Sequence, residues 1–165
     1  MAEAGRVLKE GSLYWHGVDA EGNPVLWSRS GFVDIRDHPP EAWIRAFATI
    51  LEVGASSGAP RFTYIECTHG LQVSRFPIRR GFQIVRGALD VLLRGFPERG
   101  STFVVAPTTT VNRALLTLAR PFLPDSVRRR LFLLPDEAAA QRALCGAPGS
   151  SLNLGVPVPT FFGGS

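Results

Sequence analysis

The sequence predicts an α/β layer fold with a mostly parallel inner sheet, and three observations carry that prediction. Short apolar, β-branched segments alternate with longer segments whose apolar residues recur every three or four positions. The element order reads β-β-α-β-α-β-α-α-β-α, the signature of strands joined by helical crossovers. The central strand candidates are apolar on both faces, as expected where helices or a ligand cover both sides of a sheet.

The elements follow in order. "SLYWHGVDAEGNPVLWSRSGFVDI" (12–35) reads as a hairpin, with Leu13–His16 as one strand, "DAEGNP" as the turn and Val25–Ser28 returning. "PPEAWIRAFATILEVG" (39–54) is a helix with Pro40 in its first turn, Gly54 at its end, and Trp43, Phe47, Ile50 and Leu51 on one face. "RFTYIEC" (61–67) is a strand. "FPIRRGFQIVRGALDVLLRGF" (76–96) is the clearest helix: Ile78, Phe82, Val85, Leu89, Leu92, Leu93 and Phe96 form one stripe, and Arg79, Arg86 and Asp90 lie off it. "STFVVAP" (101–107) is a strand. "TTVNRALLTLARPFL" (109–123) is a second amphipathic helix with Val111, Leu115, Leu118 and Phe122 on one face, capped by Thr109 or Thr110 and ended or kinked by Pro121. "PDSVRRR" is a short helix, "LFLLP" a strand, and "DEAAAQRAL" (136–144) a helix that begins with acids. The last stretch, 145–165, is Gly/Pro-rich and uncharged; it is expected to pack on the body, because Phe161 and Phe162 would otherwise face water.

Composition narrows the function classes. The chain has 165 residues, 45% hydrophobic and 19% charged, which suits a single folded domain over 1–165 and excludes a disordered chain. No apolar run approaches the roughly 18 residues that span a bilayer. "MAEAGRVLKE" lacks the apolar core of a secretory signal and is too acidic for a transit peptide. Cys67 and Cys145 form no C-x-x-C pair, so reduced thiols and an intracellular setting are expected, cytoplasmic or peripheral on a membrane. With three scattered His no metal site is expected, and no Walker-type or G-x-G-x-x-G loop is present. Cys67 and His69 sit just past a strand end, where a nucleophile and base are conceivable, but no oxyanion-type glycine motif accompanies them and no enzyme is expected.

Charge is asymmetric. Residues 1–70 carry 6 basic and 9 acidic side chains, whereas residues 71–165 carry 12 basic and 5 acidic. Seventeen of the 18 basic residues are Arg, either a coding bias or a preference for phosphate contact. The C-terminal half is expected to face something anionic, a phospholipid head group or a membrane surface. Nucleic acid is not expected, because aromatics are not interleaved with the Arg clusters as base stacking requires.

Four segments, in order, resemble the CRAL-TRIO lipid-binding domain of retinaldehyde-binding and phosphatidylinositol/phosphatidylcholine transfer proteins. "GVDAEGNPVLW" (17–27) is similar to the family's G-x-D-x-x-G-R-P-V segment, with Asn23 in place of Arg, and "YIECTHGL" (64–71) to its strand ending in an acid, with Glu66 where Asp is usual. "GFPERGSTFVVAPTTTVNRALLTLARPFLPDSVRRRLFLLP" (95–135) looks like the Y-P-E-R turn, strand, gate helix, K-P-F-L-D-P segment and following strand, and "VPTFFGG" (158–164) like the closing L-P-x-x-F-G-G. The resemblance lacks the small N-terminal helical lobe that often precedes this domain. It implies flanking helices that enclose an apolar cavity under a gate helix, a bound phospholipid as ligand with no other cofactor, and no covalent chemistry. It further implies that Val111, Leu115, Leu118 and Phe122 face the cavity, and that Glu98 and Arg130 contact the head group across one opening. The plain alternatives are an apolar face that is ordinary core, a turn in which Glu98 pairs with Arg99, and a solvated cationic face at Arg128–Arg130. A second reading makes the fold an interaction module or accessory subunit of a larger, membrane-bound assembly, with other protein subunits as partners. Its cavity would then be filled by the protein's own side chains.

Overall fold

The structure, a computed structural model, describes residues 2–146 and 153–156. It opens with a helix, α1 (Ala2–Lys9), that the sequence reading does not anticipate: Ala4 and Val7 are its buried residues, too few to make a periodic stripe. The hairpin follows as predicted. β1 (Leu13–Val18) and β2 (Pro24–Ser28) pair antiparallel, with Tyr14 opposite Trp27. Asp19 fixes the turn between them. Its Oδ1 accepts the backbone N–H of Glu21 (3.0 Å) and of Asn23 (2.9 Å), and its Oδ2 accepts the Thr63 hydroxyl (2.7 Å) from the next strand. The first family-like segment is therefore a structural clamp.

Next come α2 (Pro40–Ala55), β3 (Phe62–Cys67), α3 (Ile78–Gly95), β4 (Gly100–Ala106), α4 (Thr110–Ala119), α5 (Asp125–Arg128), β5 (Leu131–Leu133) and α6 (Glu137–Cys145). Local chemistry starts these helices where the sequence places the starts. Pro40 sits in the first turn of α2, Thr109 caps α4 by accepting the Asn112 N–H (3.3 Å), and Asp136 caps α6 by accepting the Ala139 N–H (2.7 Å). Two details differ. The helix expected over 109–123 stops at Ala119 and tightens into a 3-10 turn, Arg120–Phe122, around Pro121. Gly54 is not a terminator: it lies in the last turn of α2, where a Cβ would collide with the Trp15 indole.

Among the described residues the sheet order is β1-β2-β3-β4-β5, and β2 to β5 run parallel. Each parallel strand is added on the same side of its predecessor. Right-handed crossovers in one direction place their helices on one face of the sheet. α2, α3 and α4 accordingly pack together with α1 on that face. The other face is left to α6 and to residues 153–156. There Val25, Trp27, Ile65, Cys67, Val104 and Ala106 pack without exposure against Ala140 and Leu144. Leu154 and Val156 join this layer, held by the Leu154 N–H to the Ala143 carbonyl (2.9 Å) and the Val156 N–H to the Leu144 carbonyl (2.7 Å). The closing segment 158–164, with Phe161 and Phe162, lies outside the described residues.

Candidate functional site

The helical face of the sheet does not close. A cavity of about 250 Å³ lies between the strands and helices α2, α3 and α4. Strand alternation supplies its floor: Tyr64 and Glu66 of β3, Phe103 and Val105 of β4 and Leu131 of β5 point into it, while Ile65, Cys67 and Val104 point the other way. α3 supplies Ile84, Val85, Ala88, Leu89 and Leu92 as one wall. This explains why the longest apolar stripe in the sequence is mostly half-buried: it borders empty space, and only Leu92 of its members is buried.

The two ends of the cavity differ. At the N-terminal ends of β4 and β5 the lining is hydrocarbon: Leu92, Phe103, Leu123, Val127 and Leu131. At the C-terminal ends of β2 and β3 the bordering residues include Ser12, Ser28, Ser30, Glu66, Thr68 and Asn112, mostly through their carbon atoms, since the cavity surface is almost wholly apolar. Glu66 is anchored there. Its Oε1 accepts the Ser30 N–H (3.3 Å) and its Oε2 accepts the Tyr64 hydroxyl (2.6 Å). Burial and the neighbouring Glu66 hold the Tyr64 phenol well above its usual range, so it stays a hydrogen-bond donor. Gly31 makes this end possible, because a Cβ at that position would strike the His69 carbonyl. Among the described residues no Arg or Lys lines the cavity.

The residues expected at the gate are distributed as follows. Leu115 lines the cavity. Val111 is buried instead in the core that α1, α2 and α3 share with α4. Leu118 is 45% exposed. Phe122 is 39% exposed, with the Arg86 guanidinium 3.5 Å from its ring centroid and Phe82 beside it. The cavity-facing stripe of α4 is Asn112, Leu115, Leu116 and Ala119, turned by about one residue from the expected one, or roughly a quarter of the helix circumference. Hydrophobic spacing missed it because it contains a polar amide and a small alanine. The 3-10 turn after Ala119 carries Phe122 further off register.

Glu98 and Arg130, expected at a head group, meet, but outside the cavity lining. Arg130 donates to Glu98 Oε2 (3.2 Å) and to the Gly100 carbonyl (2.9 Å), which bridges the start of β5 to the turn before β4. Glu98 sits at φ 59°, a left-handed conformation that an L side chain adopts at a cost. Arg99 does not pair with Glu98; it donates to the Ala59 and Pro60 carbonyls. Neither Glu98 nor Arg130 lines the cavity, although Val127 and Leu131, on either side of Arg130 in sequence, do. Arg128 pairs with Asp125 and stays exposed, as does Arg129.

Cys67 and His69 do not form a catalytic pair. The thiol faces the α6 layer, where burial pushes it up to about 11 and keeps it protonated at neutral pH. His69 is exposed and pairs with Glu137. Among the described residues no group of three His, Cys, Asp or Glu is placed to hold a metal, and no helix is long and apolar enough to cross a membrane.

A mostly parallel sheet with an apolar cavity roofed by helices defines an α/β domain built around an internal cavity. The chain belongs to the CRAL/TRIO domain family, whose sequence profile matches residues 8–142. The crystal structure of Sfh5 is similar in fold, with a TM-score of 0.70 at 16% sequence identity over 89% of this chain. The match covers 57% of the Sfh5 chain, so this sequence spans little more than half of that neighbour. A comparison with curated proteins found no match. Domains of this family bind lipid ligands and are generally not catalytic.

Proposed function

We propose that this domain binds a hydrophobic lipid in the cavity under α4 and carries it between membranes, with no covalent chemistry. The single observation behind this reading is the 250 Å³ apolar space enclosed by the sheet, α2, α3 and α4. A buried hydrocarbon chain gains roughly 0.8 kcal/mol per methylene, so even a modest cavity supports tight binding. Open space, and not packed side chains, favours a carrier over a fold reused as an interaction module. Release requires the roof to move, and α4 is suited to that. It is ten residues long and ends at a Pro-containing turn; Leu118, Arg113 and, in that turn, Arg120 and Phe122 are exposed, with Arg86 over the Phe122 ring. Such a face would meet an anionic bilayer peripherally, apolar groups inserted and cations at the head groups.

A phospholipid such as phosphatidylinositol or phosphatidylcholine is the finer form of the reading. Among the described residues no cation lines the cavity, so its phosphate would sit outside, at the Arg130 end, and its acyl chain would enter past Val127 and Leu131. Arg130 would exchange its bond to Glu98 for the phosphate, leaving Glu98 to accept from head-group hydroxyls. Solvent extraction of the purified protein followed by mass spectrometry tests both levels. A stoichiometric lipid is the expected result. A protein that carries no lipid and takes up no labelled phosphatidylinositol, phosphatidylcholine or simpler lipid would end the carrier reading.

A further inference from the structure

The far end of the roof is held to α3 by a charge over a ring. Phe122 lies in the 3-10 turn that follows α4 and is 39% exposed. The Arg86 guanidinium of α3 covers it, 3.5 Å from the ring centroid, and the Phe82 ring of the same helix stands 6.2 Å away, centroid to centroid. Asp90 lies one helical turn beyond Arg86, but its carboxylate pairs with Arg94 at 2.8 Å. An acid followed by a base four residues later is the favoured order on a helix, so Asp90 serves Arg94 and the ring is left to Arg86. Among the described residues Arg86 forms no ion pair, and neither do Arg113 of α4 and Arg120 of the turn. All three are exposed. The start of α4 is tied down instead: Thr109 caps it, and Val111 and Asn112 are buried in its first turn. A swing of α4 about its start therefore has to break the contact between Arg86 and Phe122.

That contact is weak enough to exchange. An exposed cation–π pair favours the closed arrangement by only about two- to fivefold. A net anionic bilayer draws a guanidinium to its surface and offers oxygens that the planar fork binds two at a time. The ring left behind is apolar and already half out of the fold, so it can enter the hydrocarbon. We propose that Arg86 is a charge-sensing clasp on the roof. Away from a membrane it covers Phe122 and keeps the end of α4 closed. At an anionic bilayer it passes to a lipid head group, Phe122 inserts and the roof lifts. This role rests on the carrier reading and adds a condition to it: exchange depends on the charge of the membrane, and contact with a neutral one is not enough.

Transfer of fluorescent phosphatidylcholine by the purified full chain tests it, between vesicles of phosphatidylcholine alone and between vesicles that also hold about 30 mol% phosphatidylserine. The wild type is expected to exchange about fivefold or more faster with the anionic vesicles. Arg86→Gln and Phe122→Leu each undo the clasp, and each is expected to raise exchange with the neutral vesicles about two- to fivefold. The double variant is expected to gain no more than either single one, because both remove the same contact. A second readout does not need a carried lipid. Phe122→Trp keeps the clasp, since an indole is the better ring for a cation. Bromine-labelled phosphatidylcholine is expected to quench the introduced indole in anionic vesicles and not in neutral ones, beyond any quenching of Trp15, Trp27 and Trp43 in the wild type. Equal exchange by the wild type with both kinds of vesicle would overturn the clasp while the carrier reading stands. So would slower exchange of either single variant with neutral vesicles, or additive gains in the double variant. No exchange by the wild type at all, with charge-dependent quenching intact, would overturn the carrier reading and support the clasp. Equal quenching in both kinds of vesicle would overturn the clasp whether or not lipid is carried.

Discussion

The two faces of the sheet are made by the same strands and end in opposite conditions. Toward α6, alternate residues of β2, β3 and β4 are Val25, Trp27, Ile65, Cys67, Val104 and Ala106, all fully buried. Toward α2–α4, the intervening positions include Tyr64, Glu66 and Phe103, which remain partly exposed at the centre of the sheet. One face carries Trp27 among small and β-branched residues, pressed against alanines of α6. The other carries aromatics and an acid beside buried Leu26 and Val105, and borders the cavity. The alternation that builds a sheet has here separated close packing from open space, residue by residue.

The sharpest way to break this comparison is to truncate both faces. Ile65→Ala, on the packed face, is expected to lose about 2–5 kcal/mol, the range for deleting buried aliphatic groups in a close-packed core. Leu116→Ala borders existing space and is expected to lose less than about 1 kcal/mol, since little new void is made and few contacts are broken. Urea unfolding measures both, and equal losses would mean that the two faces are packed alike. Next in size is Gly31→Ala. Its Cβ would meet the His69 carbonyl, and backbone cannot swing aside as a side chain can, so a loss of about 1–3 kcal/mol is expected. That change should also weaken lipid uptake, because it shifts the loop that frames the Glu66 end of the cavity.

The packed face makes a chemical prediction as well. Cys145 is exposed and should react rapidly with a thiol reagent at pH 8, while Cys67 should stay protected until the protein unfolds. The sign of the pH effect follows. The folded state holds the Cys67 proton up to about 11, above the ordinary thiol range, so the stabilisation is complete at neutral pH and is lost as pH rises through about 11. Two fast thiols at pH 8 would mean that the α6 layer opens readily. The smallest effect concerns the Glu98 turn. Glu98→Gln removes an exposed ion pair worth about 0–1 kcal/mol. Glu98→Gly removes the same pair but relieves the left-handed backbone, so it should be no less stable than the glutamine variant.

Much of the fold was legible because local signals agreed. Strand and helix order, the caps at Thr109 and Asp136 and the hairpin turn all follow from short-range chemistry. The pairing of Glu98 with Arg130 was foreseen through the family resemblance, although the cavity lining does not include them. What the sequence hid is tertiary. An apolar stripe on α3 reads the same whether it meets core or empty space. The inward stripe of α4 contains Asn112 and Ala119, so a search for large apolar residues selected Val111, Leu118 and Phe122 instead. Ser12, Ser30 and Asn112 become neighbours of one cavity only after the sheet has formed, and no spacing connects them. Glu66 was visible as an acid at a strand end, but its aim into the cavity depends on which face the crossovers cover.

The central claim is that the space under α4 is a lipid site, and filling it tests this most directly. Ala88 of α3 lines the cavity, and Ala88→Phe places a ring there without disturbing the packed face. Native mass spectrometry and thermal melting of wild type and variant, each exposed to the same lipid extract, should show a bound lipid on the wild type alone, with the variant melting at the same temperature or higher. A variant that folds normally and still carries the lipid in full would contradict the account.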